Sequence, residues 1–300
     1  MSAGPLIVLE NAHQRLGVLP ELGGSAAFWE VKRAERWCPI WRPYAPNPER
    51  RTVANFPLLP WSNRLLGGGI EVDGQFYPMA SNRPDSPFPM HGTGWMHAWT
   101  IVAQSANHVE MAVEAQNPCG YPFHFSARQH YWLEDQVMRM RLELTHLGAQ
   151  RLPYGLGFHP YILRNPAGPD VRLQFGAQAH WPGEKGLPVT DPAPLPPEWD
   201  FNVLREIGSG EIDHNFRGCD GHMRMERPDI DLRLDWQTTA PHDLDTAILY
   251  RPAHNQWFCY EPVTHITGAH ARPGMPGLRL LEQGQSMALE VRQTLSRITP

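Results

Sequence analysis

Proline is the feature that most restricts what this chain can fold into. The sequence contains 31 prolines among 300 residues, which is roughly twice the average frequency. A proline interrupts a helix or a central strand because it has no N–H group and its ring fixes the backbone angle φ. Many short elements joined by turns and loops are therefore expected, and helical periodicity is hard to find in this sequence.

Strand-like runs bounded by Gly, Pro and Asn recur along the chain. The clearest, residues 136–145, alternates apolar and charged side chains, as one face of an antiparallel sheet requires. Glu134-Asp135 precedes it and predicts a hairpin turn. We expect strands at residues 6–9, 26–31, 99–105, 108–115, 123–133, 136–146, 170–175, 229–236, 246–250, 257–260 and 287–295. This spacing predicts an all-β, mostly antiparallel sandwich or barrel, not a parallel α/β sheet.

No segment of the sequence is predicted to be a linker between domains. The loop richest in proline, residues 181–199, has similar strand signals on both sides. We therefore interpret it as a long surface loop and expect residues 1–300 to form a single domain. Gly67-Gly68-Gly69 lacks the Lys-Ser/Thr pair of a phosphate-binding loop, so it is expected to be a turn.

Composition and charge exclude several classes of protein. Hydrophobic residues make up 41% of the chain, with 11 Trp, 11 Phe and 8 Tyr, which is too much apolar material for a disordered protein. A net charge of −5 provides no basic face for nucleic acid or an anionic membrane. The four cysteines are widely separated without zinc-ligand spacing, so no metal is expected. No long apolar stretch or signal-like start is present, which predicts a cytoplasmic protein.

Two segments in the first third of the chain carry candidate functional residues. Asn63 and Arg64 follow a stretch with two prolines, which predicts a rigid, irregular loop that aims both side chains. An ordinary exposed loop arginine is the alternative. His91 precedes a glycine-rich stretch that could bring the backbone close to a ligand, and Trp95 could stack on a sugar ring. A glycine turn with packed aromatic rings would look the same.

Two further candidates lie later in the chain. His159 follows two nearby glycines and precedes Pro160, which favours an extended backbone and fixes the direction of the imidazole. A histidine satisfied within the core is the alternative. Glu261 closes an apolar strand just before Pro262, where a carboxylate is costly unless it is paired or used. A salt bridge to an arginine would account for it equally well.

The order of these motifs resembles that of the aldose 1-epimerase (galactose mutarotase) family. The matching runs are Asn63-Arg64, His91-Gly92, Tyr121-Pro122-Phe123, Gly157-Phe158-His159-Pro160-Tyr161, Asp213 and Glu261-Pro262-Val263-Thr264-His265. The resemblance extends from Leu19-Pro20-Glu21-Leu22-Gly23-Gly24 to the final strand. It departs from the family after His91, where the family more often has an arginine, and the match at Asp213 is looser.

The resemblance implies a fold, a reaction and roles for named residues. The fold is one large antiparallel β-sandwich of the galactose mutarotase-like supersandwich type. The reaction interconverts the α and β anomers of a free aldose without a cofactor. By the family's pattern Glu261 is the base, His159 is the acid, and His91 also donates towards the ring oxygen. A histidine with an ordinary pKa near 6.5 suits such a proton transfer. The side chains expected to contact the sugar are Asn63, Arg64, Trp95 and Asp213.

Three other hypotheses for the function of the chain remain open at this point. A mutarotase for a phosphorylated or modified sugar would need an arginine cluster; the sequence places no second arginine beside Arg64 and lacks the Trp-Pro-Trp-Phe-Gly-type loop of the hexose-6-phosphate branch. A non-catalytic sugar-binding domain would not need both histidines and Glu261. A metal-dependent cupin would need a His-x-His pattern with a downstream glutamate, which is not found. The sugar itself and the oligomeric state stay undetermined.

Overall fold

Strands form nearly all of the regular structure in residues 4–46, 52–165, 167–240 and 244–298, which the computed structural model describes. In chain order they are β1 Ile7–Glu10, β2 Gln14–Leu19, β3 Ser25–Arg33, β4 Arg36–Pro39, β5 Pro57–Leu58, β6 Gly69–Val72, β7 Gln75–Pro78, β8 Thr100–Gln104, β9 His108–Gln116, β10 His124–Glu134, β11 Val137–His146, β12 Leu152–Tyr154, β13 Gly157–Phe158, β14 Ile162–Leu163, β15 Arg172–Phe175, β16 Ala179–Trp181, β17 Gly183–Glu184, β18 Leu187–Pro188, β19 Arg205–Glu206, β20 Ile212–Arg217, β21 His222–Arg227, β22 Leu232–Thr239, β23 Thr246–Arg251, β24 Trp257–Pro262, β25 Arg279–Leu281 and β26 Ser286–Ser296. The only helices in those ranges are 3-10 turns at Gly94–Met96, Pro118–Gly120, Pro197–Trp199, Pro228–Ile230 and Ala269–Ala271. None of the helices described there could cross a membrane.

One large sheet forms the first layer of the sandwich. Its nine strands run in the order β19-β15-β21-β22-β26-β11-β10-β9-β8, and each neighbouring pair is antiparallel. In β11 every second side chain is fully buried, among them Met140 and Leu142, while the charged residues between them face outward. Each such apolar side chain contributes about 1.5–3 kcal/mol by leaving water. The predicted turn at Asp135 is confirmed, with φ at 53° between β10 and β11.

Smaller sheets cover the buried face of this layer. One has the order β14-β24-β23-β20-β16, and another contains β1 to β4. The layers meet in an apolar core, where Trp236 of β22 packs edge-on against Tyr260 of β24 at 5.9 Å between ring centroids. A buried polar contact also crosses the layers, with the Asn55 amide donating to the Tyr131 hydroxyl at 3.2 Å. The predicted antiparallel β-sandwich is therefore confirmed.

Every strand predicted from the sequence overlaps an observed strand, but several other observed strands lack a strand-like run bounded by turn residues. Strand β2 is buried on nearly all sides, so its sequence does not alternate. Strand β20 contains three consecutive polar residues, Asp213-His214-Asn215, so its sequence does not alternate between apolar and polar side chains. The strand expected at residues 229–236 begins later, because Pro228–Ile230 forms a 3-10 turn, and β22 then continues to Thr239.

The proline-rich region at residues 181–199 is more ordered than a plain loop. It contains the short hairpin of β17 and β18 and the turn at Pro197–Trp199. The tip of this hairpin lies beside β20, since the Asn215 amide donates to the Gly186 carbonyl at 3.3 Å. The turn predicted at Gly67 and Gly68 is confirmed, with φ at 79° and 73°, values that glycine adopts without steric cost.

Candidate active site

The centre of the candidate site is a buried pair formed by His159 and Glu261. Strand β13 leads into His159, and Glu261 lies near the end of β24. His159 Nε2 lies 3.3 Å from Glu261 Oε1, and the two side chains are only 7% and 2% exposed. Glu261 Oε2 and His159 Nδ1 have no hydrogen-bond partner within the described residues. The alternative of a salt bridge to an arginine is wrong, because the ion-pair partner that Glu261 has in those residues is His159.

Burial shifts both members of the pair towards their uncharged forms. It raises the pKa of Glu261 well above its ordinary value, and the neighbouring Asp213 carboxylate adds to the rise while Arg64 opposes it. Burial also lowers the pKa of His159 to about 3, and the positive charge of Arg42 acts in the same direction. The expectation of an ordinary histidine pKa near 6.5 is therefore wrong, because this imidazole is shielded from water. The pair is best described as two groups that share one proton.

A measurable dependence of stability on pH follows for Glu261. Its raised folded-state pKa means that its contribution to stability is fully present below pH 4.5 and is lost as pH rises through the folded value. Glutamine does not titrate, so we expect the free energy of unfolding of wild type minus that of Glu261→Gln to fall by up to about 1.4 kcal/mol per pH unit over this window. Denaturant unfolding of both proteins at several pH values measures it. A difference that stays constant from about pH 4.5 to pH 8 would contradict the raised pKa.

His91 lies beside this pair in a loop that sets its tautomer. Its Nδ1 accepts a hydrogen bond from the Asn63 backbone N–H at 3.1 Å, so a neutral ring carries its proton on Nε2 and can donate from there. The ring stands edge-on to His159 at 5.2 Å between centroids. The next residue, Gly92, has φ at 62°, and a Cβ there would lie 2.0 Å from the Leu59 carbonyl oxygen. Glycine is therefore required at position 92 because the Leu59 backbone lies so close, and not because a ligand does.

Asn82 holds the loop of His91 and was not identified from the sequence. Its Nδ2 donates to the carbonyls of Met90 at 3.1 Å and Gly92 at 2.8 Å, and its Oδ1 accepts from the Met90 N–H at 2.8 Å. These bonds enclose His91 on both sides along the chain. A single asparagine in a polar loop carries no sequence signal for such a role.

The end of the Glu-Pro-Val-Thr-His run fixes the loops around the site. Thr264 Oγ1 accepts from the Leu156 N–H at 3.0 Å, which holds the segment before His159. His265 Nε2 accepts from the Ser62 N–H at 2.9 Å, and its Nδ1 lies 2.8 Å from the carbonyl oxygen of the next residue. The threonine and histidine of this run therefore act as structural anchors, whereas its glutamate faces the cavity.

The predicted polar residues meet at one cavity of about 310 Å³, which we term the inner cavity. Its lining comprises Asn63, Arg64, Arg83, Asp85, Ser86, Met90, His91, His159, Tyr161, Asp213, Tyr250 and Glu261. Arg64 is oriented by donating from Nη1 to the Lys185 carbonyl at 2.8 Å. Burial raises the pKa of Asp213, and Arg64 opposes that rise. Six of the seven predicted site residues are thus brought together.

Trp95, the seventh, lies in a neighbouring cavity of about 860 Å³, the outer cavity. Its indole Nε1 donates to the Gly92 carbonyl at 3.2 Å, and its ring meets Phe56 edge-on at 6.4 Å. Phe56 and Tyr161 were not identified from the sequence as site residues. Their rings stack on the two faces of His159, at 4.9 and 4.8 Å between centroids, and hold the imidazole in place.

Arginines reach the cleft from positions that the sequence did not indicate. Arg83 lines the inner cavity, and its guanidinium forms a two-pronged ion pair with Asp85 at 2.9 and 2.6 Å. Arg42 lines the outer cavity with its guanidinium 3.7 Å from the ring centroid of Tyr161. Within the described residues, no three His, Cys, Asp or Glu side chains are grouped as a metal site would require.

Comparison with known sequences places this architecture in one family. The sequence profile of the aldose 1-epimerase family matches residues 5–294. The uncharacterized protein YphB of Escherichia coli K12 is 27% identical over 292 residues, covering 95% of this chain and 97% of that protein. The uncharacterized protein YihR of the same organism is 28% identical over 175 residues, or 57% of each chain.

Solved structures agree on the fold. A candidate aldose 1-epimerase from Escherichia coli K12 has a TM-score of 0.88 at 25% identity, covering 98% of this chain and 99% of the other. A galactose mutarotase-like protein from Clostridium acetobutylicum has a TM-score of 0.81 at 14% identity, covering 98% and 95%. The fold is therefore that of the galactose mutarotase-like β-sandwiches. The chain belongs to the aldose 1-epimerase family.

Proposed function

We propose that this protein is a cofactor-independent aldose 1-epimerase that interconverts the α and β anomers of a sugar with a free reducing end. The observation that carries the proposal is the buried His159–Glu261 pair, 3.3 Å apart, at the wall of the inner cavity. Anomerisation needs one proton acceptor and one proton donor on the same ring, and this pair supplies both. The polar groups of Asn63, Arg64 and Asp213 line the same cavity and would hold the sugar hydroxyls.

The reaction balances with one proton taken and one proton given. Glu261 accepts the proton of the anomeric O1 hydroxyl, the C1–O1 bond becomes a carbonyl, and the bond from C1 to the ring oxygen breaks. His159 donates a proton to that ring oxygen, and His91 Nε2–H donates a hydrogen bond towards the same atom. Rotation about the C1–C2 bond and closure by the reverse steps give the other anomer.

Burial favours the proton distribution that follows ring opening. After the first half-reaction Glu261 is protonated and His159 is neutral, and these are the uncharged forms that their pKa shifts favour. Ring opening starts from the disfavoured form of the pair, with Glu261 ionised and His159 protonated, and the attraction of the two charges across 3.3 Å offsets part of the cost of removing each from water. A proton can therefore move through the pair without leaving an isolated buried charge.

A second candidate is an epimerase for a phosphorylated or otherwise anionic sugar. One observation favours it, because Arg83 joins Arg64 in the lining of the inner cavity. The charge of Arg83 is already matched by Asp85, however, which weakens its pull on an anion. A non-catalytic sugar-binding domain receives less support, since hydroxyl recognition does not require a buried acid–base pair that costs stability.

The proposal is tested with freshly dissolved anomers followed by proton NMR. We expect the approach of α-glucose or α-galactose to anomeric equilibrium to accelerate in proportion to enzyme concentration, beyond the rate in buffer alone. Glucose 6-phosphate and glucuronate serve as anionic comparators. Acceleration confined to the anionic sugars would favour the second candidate. Binding of a sugar without any acceleration would favour the non-catalytic domain.

A further inference from the structure

The inner and outer cavities adjoin each other. Arg83, Asp85, His91, Tyr161 and Tyr250 line both of them. The outer cavity, at about 860 Å³, is much larger than the inner cavity, at about 310 Å³. The proposed reaction involves one sugar ring, and that ring must lie in the inner cavity beside the acid–base pair. The outer cavity is therefore space that anomerisation of a monosaccharide does not need.

A chain of aromatic rings leads from the reaction centre into the outer cavity. The ring of Tyr161 stacks on His159 at 4.8 Å and meets Trp257 edge-on at 4.9 Å between centroids. Strand β24 carries Trp257 at its start and Glu261 four residues later. Side chains four residues apart in a strand lie on the same face, so the cleft follows this strand outward. A ligand anchored at Glu261 would extend towards Trp257.

The lining of the outer cavity suits a sugar ring. Four half-buried aromatic side chains, Trp95, Tyr161, Tyr250 and Trp257, line it, and the ring of Tyr161 is already covered by His159 and Arg42. Such rings pack well against the apolar C–H face of a pyranose, while a few polar groups orient its hydroxyls. Arg42 supplies a positive charge to this lining, with its guanidinium over the rings of Tyr161 and Trp257.

We propose that the outer cavity is a subsite for a second sugar residue, so that the enzyme acts preferentially on the reducing end of a di- or oligosaccharide. This inference rests on the proposed function and specifies its substrate class. The reducing-end ring occupies the inner cavity, and the ring attached to it stacks near Trp257. The aromatic surface suits the apolar face of a sugar ring, and the Arg83 charge in the same lining is already matched by Asp85.

The test compares disaccharides with their reducing-end monosaccharides. Anomerisation of glucose, maltose, cellobiose, lactose, melibiose and glucose 6-phosphate is followed by NMR exchange between anomeric signals. We expect kcat/KM for at least one disaccharide to exceed that for glucose by roughly tenfold, which is the effect of about 1.4 kcal/mol of added transition-state binding. Trp257→Ala should bring this ratio close to one, and Trp257→Phe should restore part of it because a ring remains.

Controls separate the outcomes. Trp132→Ala removes a half-buried tryptophan from the outer face of the nine-stranded sheet and should keep the wild-type ratio. Glucose that is turned over as well as, or better than, every disaccharide would overturn the subsite and leave the proposed function intact. The subsite is also overturned if glucose 6-phosphate alone is preferred, or if Trp257→Ala lowers both rates in proportion. Failure with every sugar, glucose included, would instead overturn the proposed function.

Discussion

Replacing Glu261 with glutamine is expected to reduce the rate of anomerisation by roughly 10²-fold or more, the usual effect of losing a general base. The amide has nearly the same shape as the carboxyl group, but it cannot accept the proton of the O1 hydroxyl. Glu261 is almost completely buried and is the carboxylate that pairs with His159, at 3.3 Å, whereas Asp85 in the same lining is paired with Arg83. Polarimetry with fresh α-glucose or α-galactose measures the loss.

The matched control for this variant is Glu226→Gln. Glu226 is also a buried glutamate, but it lies in β21 of the large sheet and pairs with Arg172 and Arg233. Its replacement should lower stability, because two arginines lose their charged partner, and leave anomerisation near the wild-type rate. A folded Glu261→Gln protein with near wild-type activity would remove Glu261 from the mechanism.

Replacing His159 with asparagine is the second change with a large expected effect. The asparagine side chain can donate a hydrogen bond but cannot transfer a proton near neutral pH, so the rate should fall by roughly 10²-fold. The loss should be smaller than for Glu261→Gln, since His91 stands 5.2 Å from the same ring and can still donate towards the ring oxygen. Stopped-flow polarimetry and circular dichroism together would report the rate and the fold.

The control for the second change is His180→Asn. His180 is a buried histidine in β16, outside both cavities, where its ring packs against Trp199. Its loss should affect stability but not turnover. If His159→Asn retains the full rate, or loses no more activity than His180→Asn, then His159 is not the proton donor.

The sequence predicts an element well when one pattern of apolar and polar residues determines it. Apolar and charged side chains alternate over residues 136–145 because one face of β11 packs in the core and the other meets water. Both the strand and its turn at Asp135 can therefore be predicted from the sequence. The motifs that contain His159 and Glu261 can also be recognised, because the order of the motifs along the chain matches that of one family. Strand β20 is not predicted because Asp213 lines the cavity and Asn215 accepts a hydrogen bond from the Thr267 N–H, and these polar residues break the alternation.

The features that the sequence does not reveal depend on long-range contacts. Asn82 matters only because folding brings it beside the loop of His91. Arg42 and Arg83 meet the cleft from separate loops, and no local pattern marks either of them. The pKa of His159 departs from its ordinary value because of burial, a property of the assembled core.

The most direct test of the central claim is NMR exchange between the α and β signals of galactose or glucose at equilibrium. At equilibrium no net reaction occurs, so exchange cross-peaks report anomerisation alone. We expect cross-peaks that grow with wild-type enzyme concentration and fall to the level of buffer with Glu261→Gln. Absence of enzyme-dependent exchange for every aldose tested, or equal exchange with Glu261→Gln, would contradict the proposed mutarotase activity and the role of Glu261 in it.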